Sequence, residues 1–259
     1  MQIFSLRVLE TNYTYIIKVG NTAVVVDPGE FEPVRDFLQA HSLRILATVL
    51  THKHWDHIQG VEALAIYQPH PVYGGDHEDF PFEVVPVSDS EVVALGGLKM
   101  ECFHLPGHTM GACGFLIDGC LFTGDVLFGA GMGRLFEGTA EDMLSGLDKI
   151  CALPSQTKIY FGHEYTLTNL GFASVVEPDN QAISERLSQV INQVDLQTTP
   201  STLQLEKATN PFLRIDEMNV QQAISQQVSE TLDHRADYLR VLRQWKNTYD
   251  DGGHMGSVE

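Results

Sequence analysis

Between Thr51 and Gly60 the chain reads THKHWDHIQG, so His52, His54, Asp56 and His57 fall within six consecutive positions. Imidazoles and carboxylates are poor core groups, yet together they form a donor set suited to zinc or iron. One ion would use about three such ligands and leave a place open for chemistry. A loop offering four donors therefore points to a pair of ions sharing it. Further donors stand where later strand-like runs end: His108 after LKMECFHLPG, Asp125 at the close of GCLFTGD, and His163 after TKIYFG. In layered α/β folds, strand ends on one edge are where sites assemble, and a carboxylate such as Asp125 could bridge two cations. Taken singly, each has an ordinary reading: His108 as a turn or satisfied core histidine, Asp125 as a turn aspartate after Gly124, His163 as a partly buried polar residue. The dense loop is what draws them together. His41, His70, His77, His104, His234 and His254 lack such company and are assigned no chemistry.

The elements that must hold these residues can be read from periodicity. TYIIKVG and NTAVVVDPG, joined at Gly20-Asn21, suggest an antiparallel hairpin. FEPVRDFLQAH has helical spacing, and ILATVLTH is a β-branched apolar run suited to a buried strand. Strand alternation would put His52 and His54 on one side, while a turn into the helix IQGVEALAIY lets Asp56 and His57 face a neighbouring point. EVVPV, EVVAL, LKMECFHL, ACGFLI and GCLFTG are further strand candidates bounded by Gly or Pro. TAEDMLSGLDKICALP reads as a helix with Thr139 as N-cap, Asp142 at the capping-box position and Pro154 closing it. After about Thr166 the texture becomes helical, through NLGFASVV, NQAISERLSQVINQV, NVQQAISQQVSETL and RADYLRVLRQWKN. These textures divide the chain into a catalytic α/β unit over 1–165 and a smaller helical unit over 166–250. The Gly-rich tail over 251–259 is expected to be disordered, and its GHMGS portion resembles an expression-vector remnant.

Composition narrows the partners. With 259 residues, 43% hydrophobic and 19% charged, the chain can bury one large core or two modest ones. Its 34 acidic against 16 basic residues give a net charge of −18, which argues against nucleic-acid backbones and anionic membrane surfaces. A small anionic substrate is compatible if a few cations gather locally. The start, MQIFSLRVLETNYTYIIKV, lacks the apolar core of a secretory signal, and no run approaches a membrane span. Cys102, Cys113, Cys120 and Cys151 show no CxxC spacing and read as reduced thiols. A cytoplasmic monomer acting on a small molecule is the expectation.

HKHWDH at 52–57, PGHT at 106–109, FTGD at 122–125 and GHEYT at 162–166 resemble the metallo-β-lactamase superfamily. Within it, AGMGRLFEGTAEDM at 130–143, HEYT running into NLGFA, and a helical C-terminal part with NPFLR at 210–214 resemble the glyoxalase II (hydroxyacylglutathione hydrolase) branch. The resemblance covers the chain to about residue 250. It implies an αββα sandwich followed by a smaller all-helical C-terminal domain, and a site for two divalent metal ions per chain, zinc first, with iron or manganese as alternatives. Carried over by motif, His52, His54 and His108 would hold the first ion and Asp56, His57 and His163 the second, with Asp125 bridging. The implied substrate is a glutathione thioester, S-D-lactoylglutathione, cleaved to D-lactate and glutathione. Arg134 and Tyr165 fall where the family touches glutathione, and Arg243 and Lys246 at the basic position that meets its glycine carboxylate. The bland reading of that last pair is a solvated helix face. Departures are Lys53, where many members have another histidine, Thr11, where Asp is usual, and Phe136, where some members place a tyrosine against the substrate.

The implied chemistry is attack on the thioester carbonyl by a hydroxide held between the ions, beside Asp56 and Asp125. Metal-bound water can ionise near neutrality, and a thiolate with a parent pKa of about 8.5 leaves without a strong acid. No GxSxG and no convincing Ser-His-Asp or Cys-His set competes. Rival readings are a glutathione-persulfide dioxygenase with a single iron on the same fold, a phosphodiesterase or nuclease, an exported β-lactamase, and a non-catalytic metal module. GHEYT and the long helical extension lean against the first. The missing basic surface, the missing export signal and the open two-ion donor set lean against the others in turn.

Overall fold

A strand that is apolar at nearly every residue needs cover on both faces, and the valine-rich runs near the N-terminus obtain it. The computed structural model describes residues 1–193 and 195–252. Its first sheet contains β1 (Gln2–Val8), β2 (Asn12–Val19), β3 (Thr22–Val26), β4 (Arg44–Leu50), β5 (Val72–Gly75) and β6 (Val85–Val87), hydrogen-bonded in that order. β1 to β3 pair antiparallel and β3 to β6 parallel. The connections carry α1 (Phe31–Ala40), α2 (Trp55–Ile58) and α3 (Val61–Tyr67). Val24 and Val26 face the central core, while Ala23 and Val25 pack beneath Val34 and Leu38 of α1. A register shift in β4 puts Ile45 on the helix side and Ala47 and Val49 on the core side.

The second half of the sandwich begins with β7 (Val92–Leu95), β8 (Leu98–His104), β9 (Cys113–Ile117) and β10 (Cys120–Gly124). A two-stranded ribbon, β11 (Leu127–Phe128) and β12 (Gly131–Met132), leads to α4 (Ala140–Cys151) and β13 (Lys158–Phe161). Then come α5 (Thr166–Val176), α6 (Gln181–Val190), β14 (Ser201–Thr202), α7 (Leu203–Thr209), a 3-10 turn (Pro211–Leu213), α8 (Met218–Ser225) and α9 (Arg235–Asp251). The second sheet runs β14-β13-β10-β9-β8-β7, parallel only between β10 and β13. Tyr15, Val24 and Val49 of one sheet share a core with Met100, Phe115 and Phe122 of the other, and Met143, Leu147 and Ile150 of α4 join it. The architecture is thus αββα with a helical C-terminal domain.

α4 begins as its sequence predicts: the Thr139 hydroxyl accepts from Asp142 N at 3.2 Å and the Asp142 carboxylate accepts from Thr139 N at 2.9 Å. Three expectations change. The C-terminal part is not purely helical, because it lends β14 to the second sheet. The run read as NVQQAISQQVSETL stops being helix at Ser225. The tail boundary also moves, since α9 continues through Asp251; residues 253–259, expected to be disordered, lie outside the described residues. Among the described residues, no helix is long and apolar enough to cross a membrane.

Candidate metal centre

Both sheets deliver side chains to the same end of the sandwich. Asp27 follows β3, His52 follows β4, Asp125 follows β10 and His163 follows β13. Tyr13 N donates to Gly162 O at 2.8 Å, tying the start of β2 to the end of β13. His52 and His54 converge, but not by strand alternation: β4 ends at Leu50, and His54 is already the N-cap of α2. A loop, not a pleat, sets their geometry. Glycines make room here. A Cβ on Gly162 would run into Asp125 Oδ1 and come within 2.8 Å of His57 Cε1.

Three nitrogens form the first group: His54 Nδ1 lies 3.1 Å from His52 Nε2 and 3.0 Å from His108 Nε2. Tetrahedral zinc with Zn–N bonds of about 2.0–2.1 Å would separate its nitrogens by about 3.3 Å. In the second group, His57 Nε2 and His163 Nε2 are 3.3 Å apart, and Asp56 Oδ2 lies 3.6 and 3.3 Å from them. Asp125 stands between the groups: Oδ1 is 3.3 Å from His57 Nε2, and Oδ2 is 3.3 Å from His163 Nε2 and 3.5 Å from His108 Nε2.

The outward ring nitrogens identify what the inward ones are. His57 Nδ1 donates to Asp27 Oδ2 at 3.0 Å, and His108 Nδ1 to the Arg134 carbonyl at 2.9 Å. His52 Nδ1 donates to Thr51 Oγ1 at 3.1 Å, whose own proton goes to Asp27 Oδ2 at 2.6 Å. In the neutral imidazoles this leaves Nε2 of all three as lone pairs. Those of His52 and His108 face His54 Nδ1, and those of His57 and His108 face the Asp125 carboxylate, an arrangement that repels unless a cation or extra protons intervene. Asp125 Oδ1 is buried and accepts no hydrogen bond. The donor set, its spacings and the orphaned oxygen fit divalent ions.

Within the cluster, burial and neighbouring charges pull on the titrating groups in opposite directions. Burial pulls His52 well below the ordinary imidazole range and also lowers His108. Burial acts the same way on His57 and His163, but nearby carboxylates outweigh it: Asp125 and Asp27 push His57 well up, and Asp125 and Asp56 push His163 up to about 9. Asp125 and Asp56 are held far below the usual carboxylate range, because His163 and His57 outweigh the opposing effect of burial.

A cavity of about 500 Å³ opens from His108 and Asp125. Phe128, Met132, Phe136 and Tyr165 line it, and Arg134, Arg243 and Lys246 bring positive charge to it. Every residue proposed from the sequence as a substrate contact therefore lines this one space. Phe136, 63% exposed, sets its ring 5.2 Å from that of His108 and 5.7 Å from that of His54. Tyr165 stacks on His163 with centroids 4.8 Å apart. Arg243 and Lys246 are buried, so the bland reading as a solvated helix face does not hold. Lys53 points away from the ligands and pairs with Glu137 at 2.8 Å and Glu78 at 3.1 Å, clamping the ligand loop to its neighbours. The Thr11 hydroxyl meets His163 Nδ1 at 2.9 Å.

Two supporting residues are invisible to sequence reasoning. Asp27 serves both His57 and Thr51, and Asn12 Nδ2 donates to Asp56 Oδ2 at 2.8 Å. Asp27, in DPG, reads from sequence only as a turn residue; its φ of 48° was the only conformational oddity to find, and sequence does not show it.

Comparison with known proteins matches the chain to two family models. Residues 7–163 match the family model described as the metallo-beta-lactamase superfamily, and residues 164–249 the one described as the hydroxyacylglutathione hydrolase C-terminus. A relative from Vibrio cholerae serotype O1 named hydroxyacylglutathione hydrolase is 42% identical over 253 residues, covering 96% of this chain and 100% of its own. One of the same name from Alkalilimnicola ehrlichii is 42% identical over 252 residues, covering 95% and 98%. Among solved structures, ETHE1 from Myxococcus xanthus superposes with a TM-score of 0.68 at 24% identity, covering 95% of this chain and 91% of that one, a likeness of fold.

Proposed function

The chain belongs to the hydroxyacylglutathione hydrolase family of the metallo-beta-lactamase superfamily, and from that premise we propose that it hydrolyses the thioester of S-D-lactoylglutathione to D-lactate and glutathione. The observation that carries this reading is a single cavity with a dense His/Asp cluster at its base and two buried cations, Arg243 and Lys246, in its lining. A glutathione thioester has matching parts: a reactive carbonyl and two terminal carboxylates.

In this reading His52, His54 and His108 would hold one divalent ion and Asp56, His57 and His163 another, with Asp125 within reach of both groups. Zinc is the first choice on ligand type, with iron or manganese as alternatives. Such ions, when bound, supply Lewis acidity, which ionises water near neutrality and offsets charge on a carbonyl oxygen. The chain does the rest. Asp27, Thr51 and the Arg134 carbonyl fix three imidazole tautomers, and Asn12 aims the Asp56 carboxylate. Phe136 and Tyr165 wall the carbonyl end, while Arg243 and Lys246 orient the carboxylate end of glutathione by charge-assisted hydrogen bonds. The departing thiolate needs no protonating side chain. The four free cysteines support a reducing, cytoplasmic setting, and a cavity and donor cluster both supplied by one chain are in keeping with a monomer.

The test is turnover of S-D-lactoylglutathione by protein loaded with zinc, iron or manganese, with metal content measured in parallel. Fully metallated protein that leaves the thioester intact, but consumes oxygen with glutathione persulfide, would overturn the hydrolase in favour of a dioxygenase.

A further inference from the structure

Arg243 and Lys246 are 5% and 4% exposed, and their surroundings suit buried cations. The Lys246 ammonium lies 5.7 Å from the ring centroids of both Phe172 and Tyr249. Arg243 sits 5.4 Å over Phe212 and donates from Nη1 to the Met132 carbonyl at 2.5 Å and from Nε to Asn247 Oδ1 at 3.0 Å. Among the described residues, one carboxylate reaches both cations. Asp250 Oδ1 takes the Lys246 ammonium in a short contact, and Oδ2 lies 3.7 Å from Arg243 Nη2. Arg134 pairs likewise with Asp251 at 3.6 Å.

Asp250 and Asp251 occupy the last turn of α9, which contains no basic residue. The carbonyl end of a helix disfavours negative charge. Helix energetics therefore do not hold these acids in place; the cavity's cations do. An incoming carboxylate must meet cations that already have a partner.

We propose that Asp250 is an internal competitor for the substrate's carboxylate: the anionic end of a glutathione thioester reaches Lys246 and Arg243 by displacing Asp250, which thereby sets KM and excludes ligands with no carboxylate to exchange. The inference rests on the glutathione-thioester reading. Asp250 offsets part of the burial that pulls the pKa values of both cations down. On binding, the substrate carboxylate takes over that duty and the last turn of α9 loosens.

The experiment uses the metal-loaded full chain and Asp250→Asn, with glutathione as binding probe and S-D-lactoylglutathione as substrate. Removing the competitor should lower KM about three- to tenfold, the size of a partly shielded ion pair, and tighten glutathione binding by the same factor in calorimetry. Asp250→Glu should behave as wild type. In the wild type, glutathione should speed amide hydrogen exchange in the last turn of α9, a readout that needs no variant to fold. Unchanged or weaker glutathione binding by folded, fully metallated Asp250→Asn, or added protection of that turn, overturns the inference while leaving the hydrolase reading intact. Absence of both turnover and glutathione binding in the wild type overturns the hydrolase reading, and this inference with it.

Discussion

Asp27 lines no part of the cavity, yet it anchors two of the residues on which the centre depends. Replacing it with Ala frees His57 Nδ1 and breaks the Thr51 relay to His52. Metal affinity, followed by competition with a chromophoric chelator, should fall about 10- to 100-fold, the usual cost of losing a partner behind a ligand. Gly162→Ala should be as damaging from the other side, since its methyl group would occupy the space of Asp125 Oδ1. Protonation gives a further test. In the metal-free protein His57 and His163 are raised, so each contributes stability that is fully present below the unfolded value near 6.5 and lost as pH rises, for His163 through about 9. Divalent ions must expel those protons. Calorimetry at pH 7.5 in buffers of differing ionisation enthalpy should report release of about two protons on loading, and affinity should rise with pH until His163 is neutral. No proton release would refute the assignment of both residues. At this scale the clustering of donor side chains was legible in sequence because HKHWDH concentrates four of them, whereas the part played by Asp27 and Asn12 was not. Their partners lie 30 and 44 positions away, and nothing local marks them.

Legibility among the elements tracked length and exposure. β3 and β4 declared themselves by apolar runs that had to be covered twice, and α4 by its capping box. β11, β12 and β14 span two residues each, too few for any period to register, and β5, reading VYGG, ends in two glycines that show no alternation. The parity argument for His52 and His54 reached the right neighbours for the wrong reason, because the strand stops before them. Where sequence and structure agree most locally, the energetics can be checked: Thr139→Ala removes the cap of α4 and should cost about 1 kcal/mol in urea unfolding of the loaded protein, with turnover nearly unchanged.

For the whole molecule, the two sheets meet at the cluster through a shared core and through bonds such as Tyr13 N to Gly162 O and Cys113 N to Thr51 O, and ions held there would add a further tie. Ions that bind only the folded form stabilise it by mass action. Loading at about a thousand times Kd should raise the melting temperature by roughly 10 °C, read by calorimetry before and after chelation. A net charge of −18 opposes compaction, so chelation should cost more in dilute buffer than in salt. The division into sandwich and helical part was visible from the change in texture near Thr166, but the way the two interlock was not.

That interlocking has its own consequence. Ser201 and Thr202 pair with Ile159 and Lys158, and Leu203 N donates to Thr157 O at 2.9 Å. A protein shortened before this point would leave β13 as a raw sheet border, its amides and carbonyls offered to any passing strand. Such a fragment should stick to itself rather than behave as a smaller enzyme.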